Sequence, residues 1–328
     1  MTAATLSAWS VSRYGGPDRL VPVTRPMPTP GPTEVLIRIR ASAATRADGM
    51  MRAGTPRFAR LFLGLGRPRK DLVGTCMSGE IVAVGDKVTR FAVGDDVFGG
   101  TGMNFGANAS HVCVDEAGVL VRKPDDLPHE DAAVMFDGPV TSMNFLQNVG
   151  EVQPGDRVLI LGGSGGLGSA AVQIAVAMGA RVTATCSTRN MAFVEDLGAH
   201  RVIDYTTEDA LAARGAYDVI YDTIGVSSFR RARRSLAPRG RYICPVLTLP
   251  LLFAMLRTSL VGGRKARFQP TGLQKPEVLR DMLDRLLKLH AAGQFAPAQD
   301  RVYPLSDIVE AHRYVDAGHK RGNVVLVS

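Results

Sequence analysis

The sequence predicts an α/β protein in which a doubly wound parallel sheet accompanies a smaller β-barrel domain. Three observations support this prediction. The chain has 328 residues, enough for about two domains. Its first third contains short apolar runs broken by turn residues, and its middle third alternates short apolar runs with helical stretches. Hydrophobic and charged residues make up 45% and 21%, which excludes a disordered, collagen-like or coiled-coil chain.

The first third is typical of a small antiparallel barrel. Residues 34–43 and 110–115 are short apolar-rich strands, and residues 79–100 give further strands broken by Gly-Asp pairs. Gly-Asp pairs favour tight turns. Short strands with turn signals about every ten residues predict a barrel rather than a parallel sheet.

The middle of the chain predicts βαβ units. Strand-like runs at 157–163, 181–186, 201–205 and 217–225 are separated by helical stretches such as SAAVQIAVAMGA and NMAFVEDLGA. Regular alternation of strand and helix indicates a parallel, doubly wound sheet.

The C-terminal part predicts an amphipathic helix over 276–294 and a last strand over 323–328. A terminal strand can rejoin the first domain, so we expect the barrel domain to comprise 1–125 and 270–328 and the parallel-sheet domain to comprise 126–269. The apolar face of the predicted helix consists of Leu279, Leu283, Leu286 and Leu287.

Cysteine spacing and apolar segments restrict the class of protein. The four cysteines lie far apart, which excludes a disulfide scaffold or a zinc knuckle and suits a cytoplasmic location. Residues 1–20 lack the apolar run of a signal peptide, and the most apolar stretch, 243–256, is too short to span a bilayer. We therefore expect no membrane partner and interpret 243–256 as a cleft wall or subunit contact.

The formal net charge is +8, and arginine supplies nearly all of the positive charge. This balance suits an anionic ligand, a nucleic acid or simply a solvated surface. Aromatic residues make up only 6% and are not interleaved with basic ones, which disfavours nucleic acid as a partner. The run Arg230, Arg231, Arg233 and Arg234 is interpreted as a solvated helix face.

The strongest local motif is LGGSGGLGS at 161–169, which contains G-x-G-x-x-G as Gly163, Gly165 and Gly168. Between a strand and a helix, such glycines permit a sharp turn and bring backbone N–H groups close to a pyrophosphate. The same residues spell G-x-S-x-G around Ser164, the pattern of a hydrolase nucleophile. A hydrolase would also need an acid and a histidine downstream, and only Asp222 is suitable, so dinucleotide binding is favoured.

The residues after the second strand of the parallel sheet favour NADPH over NADH. NAD sites usually carry an acidic residue there, whereas this chain has Cys186 followed by Ser187, Thr188 and Arg189. No carboxylate at this position repels a 2′-phosphate, and two hydroxyls and a guanidinium can bind it. The alternative is an ordinary helix start capped by Ser187 or Thr188.

These motifs resemble the medium-chain dehydrogenase/reductase superfamily, specifically its zinc-independent quinone oxidoreductase-like branch. The resemblance covers nearly the whole chain and includes YGGPDRL (14–20), GEIVAVGDKVTRFAVGDDVFG (79–99), PGDRVLILGGSGGLGSAAVQIA (154–175), LGAHRVIDY (197–205) and GHKRGNVVLV (318–327). It implies a GroES-like barrel domain beside a Rossmann domain, an active site in the cleft between them, and often a homodimer.

The resemblance also identifies the positions of catalytic zinc ligands in metal-dependent relatives. Here the first cysteine falls on Thr45, the histidine and the glutamate that follows it fall on Thr75 and Cys76, and the third ligand falls near Asp137. Threonine is a poor ligand, and one thiol with one carboxylate supplies too few donors for zinc. We therefore expect no metal.

The resemblance implies a set of cofactor-binding residues. The glycine loop, the 2′-phosphate contacts and the loop before the last strand contribute most of them. The expected positions are Thr141, Gly163, Ser164, Gly165, Gly166, Leu167, Gly168, Ser187, Thr188, Arg189, Tyr205, His319, Lys320, Arg321 and Asn323. Strand packing for Tyr205 and a surface position for His319 are the alternatives.

Without a metal, the expected reaction is hydride transfer from NADPH to a quinone or an α,β-unsaturated carbonyl compound. Thr45 is the candidate to hydrogen-bond the substrate oxygen, water is the expected proton source, and Met50 and Met51 are expected to line an apolar cleft. The alternatives are reduction of enoyl thioesters, and an NADPH-binding sensor or RNA-binding protein without turnover.

Overall fold

The computed structural model describes residues 4–328. Its strands are β1 Thr5–Val11, β2 Leu20–Pro26, β3 Glu34–Ala44, β4 Cys76–Val84, β5 Asp96–Gly100, β6 His111–Asp115, β7 Val119–Arg122, β8 Arg157–Leu161, β9 Arg181–Cys186, β10 Arg201–Asp204, β11 Tyr217–Asp222, β12 Leu236–Ile243, β13 Lys265–Arg267, β14 Gln299–Pro304 and β15 Asn323–Val327. Its α-helices are α1 Arg46–Ala53, α2 Arg60–Leu63, α3 His129–Ala133, α4 Asp137–Asn144, α5 Gly166–Ala177, α6 Met191–Asp196, α7 Phe229–Ala232, α8 Leu249–Leu260, α9 Pro276–Ala291 and α10 Ile308–Ala317.

The chain divides into two compact units. The first unit comprises Met1–Asp137, Lys275–Leu283 and Gln299–Ser328, and the second comprises Gly138–Gln274 and Asp284–Ala298. The domain boundaries at 125/126 and 269/270 stay a prediction.

The first unit contains a seven-stranded sheet with the order β14-β15-β3-β4-β5-β7, in which β6 also pairs with β3. The last strand of the chain, β15, runs antiparallel to β3 and pairs with its C-terminal residues. Alternate residues of β3 such as Val35, Ile37 and Ile39 are at most 2% exposed and pack into one apolar cluster. A second apolar cluster of the first unit joins Val11 and Leu20 to Val324 and Leu326, so early and late parts of the chain share this part of the core.

The second unit contains a six-stranded parallel sheet with the order β10-β9-β8-β11-β12-β13. All of its strand pairs are parallel. The order reverses between β8 and β11, and ligands of doubly wound sheets bind beyond the carboxyl ends of the strands at this reversal. The predicted α/β fold class is confirmed, and the glycine turn follows the strand where it was expected.

The amphipathic C-terminal helix is α9. Leu279, Leu283 and Leu286 are buried as predicted, whereas Leu287 is only half-buried and Met282 is buried in its place. Within residues 4–328, no helix is long and apolar enough to cross a membrane.

Candidate active site

The glycine turn joins β8 to α5 along a backbone path that leaves no room for a side chain at Gly163 or Gly168. Gly162 has a φ of 84°, in the left-handed region that favours glycine. A Cβ on Gly168 would lie 2.0 Å from the carbonyl oxygen of Gly162, so the first turn of α5 packs directly on the loop. A Cβ on Gly163 would lie 2.9 Å from the Cβ of Ala184 on β9. The close strand–helix packing therefore depends on Gly163 and Gly168.

The N-terminus of α5 is open to an anion. Its N-cap residue is Gly165, and no side chain of residues 4–328 caps it. The nearest atom to a Cβ on Gly165 would be 3.8 Å away, so the space above the loop is free. The first-turn N–H groups of Gly166, Leu167 and Gly168 have no partner within the helix, and the helix dipole adds partial positive charge. This arrangement suits the pyrophosphate of a dinucleotide.

Two side chains that sequence reasoning missed hold this loop in place. Asn190 Nδ2 donates to Ser164 Oγ at 3.2 Å, which joins the loop to the residues that follow β9. Ser142 Oγ donates to the carbonyl oxygen of Leu167 at 2.8 Å, so α4 supports the loop from another side. Thr141 precedes Ser142 on α4 and is half-buried. No sequence motif contains Asn190 or Ser142.

Asp222 ends β11, the neighbour of β8, and is fully buried. Its carboxylate accepts hydrogen bonds from the N–H groups of Gly225 at 2.8 Å, Val226 at 3.2 Å and Ser227 at 2.7 Å, and from the Tyr242 hydroxyl at 2.8 Å. These four bonds fix the loop after β11 and occupy both carboxylate oxygens. Asp222 is therefore a structural residue, and the hydrolase alternative gains no support from it.

The carboxyl ends of β9 and β10 lie side by side, because the N–H of Tyr205 donates to the carbonyl oxygen of Cys186 at 3.1 Å. Tyr205 is 52% exposed, which disfavours its interpretation as a packed strand residue. Arg189 is exposed, and Ser187 makes no capping hydrogen bond with its side chain. A guanidinium, a hydroxyl and a phenol are thus placed at one edge of the sheet.

A carboxylate also lies at this edge, contributed by the end of β10. The Thr188 hydroxyl donates to Asp204, which accepts two further bonds from Thr206, at 2.9 Å from its N–H and 2.7 Å from its hydroxyl. These bonds, that of Thr188 above all, lower the pKa of Asp204 below its usual value. The residues at the end of β9 alone give no indication of this charge, which comes from the neighbouring strand. Because the Thr188 hydroxyl is bonded to Asp204, only Ser187 and Arg189 remain as predicted contacts of the 2′-phosphate, and they stay predictions.

The loop before β15 contains three of the predicted cofactor residues, His319, Lys320 and Arg321, and Asn323 is the first residue of β15. His319 and Arg321 are exposed, Asn323 is half-buried, and His319 has a φ of 64°. The N–H of Arg321 donates to Asp300 Oδ2 at 2.8 Å, which fixes the loop to the start of β14.

Lys320 of the same loop has contacts within the first unit. Its ammonium group donates to the carbonyl oxygen of Gly322. Burial lowers the pKa of Lys320 to about 8, although the charges of Asp137 and Asp300 oppose the change. Lys320 therefore stabilises the loop itself, a role that the sequence did not indicate.

Thr45 is the N-cap of α1 and forms a capping box with Asp48. Its hydroxyl accepts from the N–H of Asp48 at 3.0 Å and donates to Asp48 Oδ2 at 2.8 Å, and its own N–H donates to the same oxygen at 3.1 Å. The expected hydrogen bond from Thr45 to a substrate oxygen would require its proton to leave Asp48. The structure therefore supports a capping role for Thr45.

The residues at the zinc-ligand positions lie together around Asp48. The Thr75 hydroxyl donates to Asp48 Oδ1 at 3.1 Å and lies 3.6 Å from Cys76 Sγ. Burial raises the pKa of Asp48 to about 6, and the charge of Asp137 adds to the rise. Burial also raises the pKa of the Cys76 thiol well above its usual value, with further contributions from Asp137 and Asp48. We call Thr45, Asp48, Thr75, Cys76 and Asp137 the Asp48 cluster.

These residues do not fit a catalytic zinc ion. Both threonine hydroxyls donate to Asp48, and the thiol of Cys76 is held in its neutral form, whereas zinc binds the thiolate. In the part of the chain that the structure describes, no group of three or more His, Cys, Asp or Glu side chains could hold a metal ion. Zinc needs about four donors.

A pocket in the first unit lies beside the cluster. It contains about 370 Å³ of space between its lining atoms, open solvent included. Asp48 lines it together with apolar residues that include Met51, Leu63, Leu72 and Phe105. The predicted apolar wall is therefore present at Met51, whereas Met50 does not line this pocket.

Comparisons with known proteins agree with this architecture. A family model described as alcohol dehydrogenase GroES-like domain matches residues 31–125, and one described as zinc-binding dehydrogenase matches residues 197–326. A quinone oxidoreductase of Pseudomonas aeruginosa is 30% identical over 327 residues, covering 96% of this chain and 97% of the relative. A Danio rerio protein named NAD(P)H oxidoreductase RTN4IP1, mitochondrial, is 29% identical over 352 residues, covering 98% and 91%.

Solved structures give the same result. The quinone oxidoreductase of Coxiella burnetii has a TM-score of 0.87 and 28% identity, covering 99% of this chain and 100% of that one. The mycobacterial protein Rv1454c complexed with NADPH has a TM-score of 0.82 and 27% identity, covering 98% and 100%. The chain belongs to the medium-chain dehydrogenase/reductase superfamily, in its quinone oxidoreductase-like branch. It is an NAD(P)H-dependent oxidoreductase with a GroES-like domain and a Rossmann-like sheet.

Proposed function

We propose that the protein is an NADPH-dependent, metal-free reductase of quinones or α,β-unsaturated carbonyl compounds. The observation that carries the proposal is the glycine turn, where an uncapped helix N-terminus faces free space above Gly165. Gly163, Ser164, Gly166, Leu167 and the other loop residues bind the pyrophosphate mainly through backbone groups. The family's association with NAD(P)H and quinones supports the same reaction.

Selection of NADPH rests on the edge formed by β9 and β10. Arg189 and Ser187 bind the 2′-phosphate, and the phenol of Tyr205 lies beside it. A charge-assisted contact of this kind contributes about 1.5–3 kcal/mol, or about 10- to 150-fold in affinity. The carboxylate of Asp204 opposes the preference, but its hydrogen bonds to Thr188 and Thr206 direct it toward the protein.

The proposed reaction is limited by the proton donors that the chain can offer to the substrate. Bound NADPH supplies a hydride, and an acceptor with a conjugated carbonyl takes the negative charge at its own oxygen without a Lewis acid. One proton then completes a quinol or a saturated ketone. The Thr45 hydroxyl donates its hydrogen bond to Asp48, so water rather than Thr45 supplies the proton to the reduced acceptor. Apolar residues such as Met51 and Phe105 line the pocket and favour a hydrophobic acceptor, while Asp48, Arg52 and Lys70 contribute polar groups to the same lining.

The remaining assignments stay predictions. These are contacts to the cofactor from Thr141, His319, Arg321 and Asn323, a homodimer, and a cytoplasmic location. Lys320 is assigned to the loop itself on the contacts described above.

The test is NADPH oxidation by EDTA-treated protein with a panel of quinones, enones and an enoyl thioester, with NADH measured alongside. We expect turnover that survives chelation, prefers NADPH and occurs with quinones or free enones. Loss of activity with EDTA and recovery with zinc would overturn the metal-free proposal. Activity only on the thioester would replace the substrate class, and tight NADPH binding without turnover would contradict the proposal of a reductase.

A further inference from the structure

Helix α8 has apolar residues on two opposite faces. Leu251, Ala254 and Met255 pack into the core of the second unit. The other face is directed to solvent, with side chains 49–81% exposed and spaced at three, four or seven positions as on one side of a helix. These residues are Leu249, Leu252, Phe253, Leu256 and Leu260. A contiguous apolar stripe on a protein surface marks an interaction site.

The segment that contains α8 is strongly basic. Residues 223–276 contain eleven arginines and lysines and no aspartate or glutamate, whereas the rest of the chain has a slight excess of acidic residues. The whole positive net charge of the protein therefore comes from this segment. An interface that combines apolar side chains with unopposed cations is complementary to an anionic, amphipathic partner.

The sheet topology places the arginines of α7 next to α8. Strands β11, β12 and β13 are added in sequence in one direction across the parallel sheet. Because both crossovers are right-handed, α7 and α8 lie on the same face of this sheet. Phe229 of α7 and Leu251 of α8 pack against one apolar cluster, as expected for neighbouring helices. Arg231 pairs with Asp209, while four exposed arginines that lie on α7, directly after it or on α8 form no ion pair with residues 4–328. These are Arg230, Arg233, Arg234 and Arg257.

We propose that α8 is a membrane-docking helix that lies on the surface of bilayers containing anionic phospholipids. Its outer leucines and Phe253 enter the boundary between headgroups and acyl chains. Arg257, Arg230 of α7, and Arg233 and Arg234 directly after α7 contact lipid phosphates. With 12 residues the helix is about 18 Å long. This length suits a helix that lies along the membrane surface and is too short to span a bilayer. This proposal replaces the expectations of no membrane partner and of a solvated arginine face.

A second copy of the chain is the competing occupant. A twofold contact through α8 would bring the same acid-free, basic surface of both copies together, and like charges disfavour such a contact. A lipid surface supplies the negative charge that the segment lacks. The proposal does not rest on the reductase activity, because the docking face and its charges are defined without a substrate.

The experiment is co-sedimentation of the full-length protein with lipid vesicles that contain no quinone. One set is pure phosphatidylcholine, and the other contains about one third phosphatidylglycerol. We expect binding to the anionic vesicles only, and at least about a tenfold loss of binding in the variant Leu252→Gln/Phe253→Gln/Leu256→Gln. The matched control, Leu61→Gln/Phe62→Gln/Leu65→Gln, changes equally exposed residues of the first unit and should bind as the wild type does.

A second variant, Arg230→Gln/Arg233→Gln/Arg234→Gln, changes only exposed side chains and tests the charge. Each lost cation should weaken binding to anionic vesicles by about fivefold. Unchanged thermal unfolding and NADPH binding verify that both variants are folded. Equal binding to both vesicle types, or wild-type binding by the α8 variant, would overturn the proposal. The proposal would also be overturned if the wild type is a dimer that does not bind vesicles and the α8 variant is a monomer.

Discussion

The glycine turn of the second unit and the Asp48 cluster of the first unit differ in the chemical groups that form them. The turn presents backbone N–H groups and a helix dipole from consecutive residues, and it contains no ionisable side chain. The cluster joins side chains from α1, β4 and α4, and burial raises the pKa of its carboxyl groups. The first arrangement therefore depends on steric fit and is insensitive to pH, whereas the second depends on charge and burial. Four substitutions test this contrast.

Gly168→Ala should have the largest effect, because the added Cβ would lie 2.0 Å from a backbone oxygen that cannot move aside easily. We expect a loss of at least about 3 kcal/mol in unfolding free energy, despite the better helix propensity of alanine, and loss of NADPH binding. Urea denaturation and fluorescence titration with NADPH measure the two effects. Gly165→Ala is the control: its Cβ would make only an ordinary contact at 3.8 Å, so stability should fall far less than in Gly168→Ala while cofactor affinity falls. Equal stability of both variants and the wild type would contradict the steric argument.

Asp48→Asn should stabilise the protein at neutral pH. The pKa of Asp48 is raised from an ordinary 3.8 to about 6, so the folded protein binds this proton more tightly than the unfolded chain. The protonated carboxyl of Asp48 therefore stabilises the folded protein fully below pH about 4. This stabilisation decreases as the pH rises and is lost above pH about 6. Asparagine accepts from Thr45 and donates to Thr75 without a charge. We expect a gain of up to about 3 kcal/mol at pH 7.

The measurement is urea denaturation of both proteins between pH 4 and pH 7. The wild type should lose stability relative to Asp48→Asn across this range, while the two converge at the acid end. Curves that stay parallel over the whole range would show that Asp48 does not titrate in the fold.

Arg189→Ala separates the backbone contribution to cofactor binding from a side-chain contribution. In the proposed binding mode the glycine turn binds the pyrophosphate that NADPH and NADH share, whereas Arg189 binds the 2′-phosphate that NADH lacks. We expect NADPH affinity to fall about 10- to 150-fold with NADH affinity unchanged, as measured by titration. Arg181→Ala, at the other end of β9, is the control and should change neither. A parallel loss for both cofactors would place Arg189 elsewhere than at the 2′-phosphate.

Thr45→Val should have the smallest effect. It removes both hydroxyl bonds of the capping box and should cost about 1–2 kcal/mol of stability. Thr45→Ser retains the hydroxyl and should remain close to the wild type. Turnover of the folded Val variant with NADPH and a quinone should be little changed. A drop of more than about tenfold in kcat, rescued by serine, would instead restore the substrate contact expected from the sequence.

The same contrast explains what the sequence could predict. β8, the turn and α5 were predictable because an apolar run, glycines and a helical pattern follow one another within some 20 residues. Even there, the positive φ falls on Gly162, just outside the motif. Asp48 carried only the weak signal T-x-x-D of a capping box at Thr45. Asp204 reaches Thr188 from the next strand, and no local pattern shows which strands are neighbours.

The pairing of β15 with β3 affects how the chain is made. Val324–Val327 pair with Ala41–Ala44, which leave the ribosome roughly 280 residues earlier. At translation rates of about 5–20 residues per second, roughly 10–60 s pass before β15 is made. During this time the backbone groups of β3 that later pair with β15 have no partner strand. Such an open edge can pair with another nascent chain. The first sheet therefore cannot close before β15 has been made, and a chain that stopped before residue 324 would leave this edge of β3 unpaired.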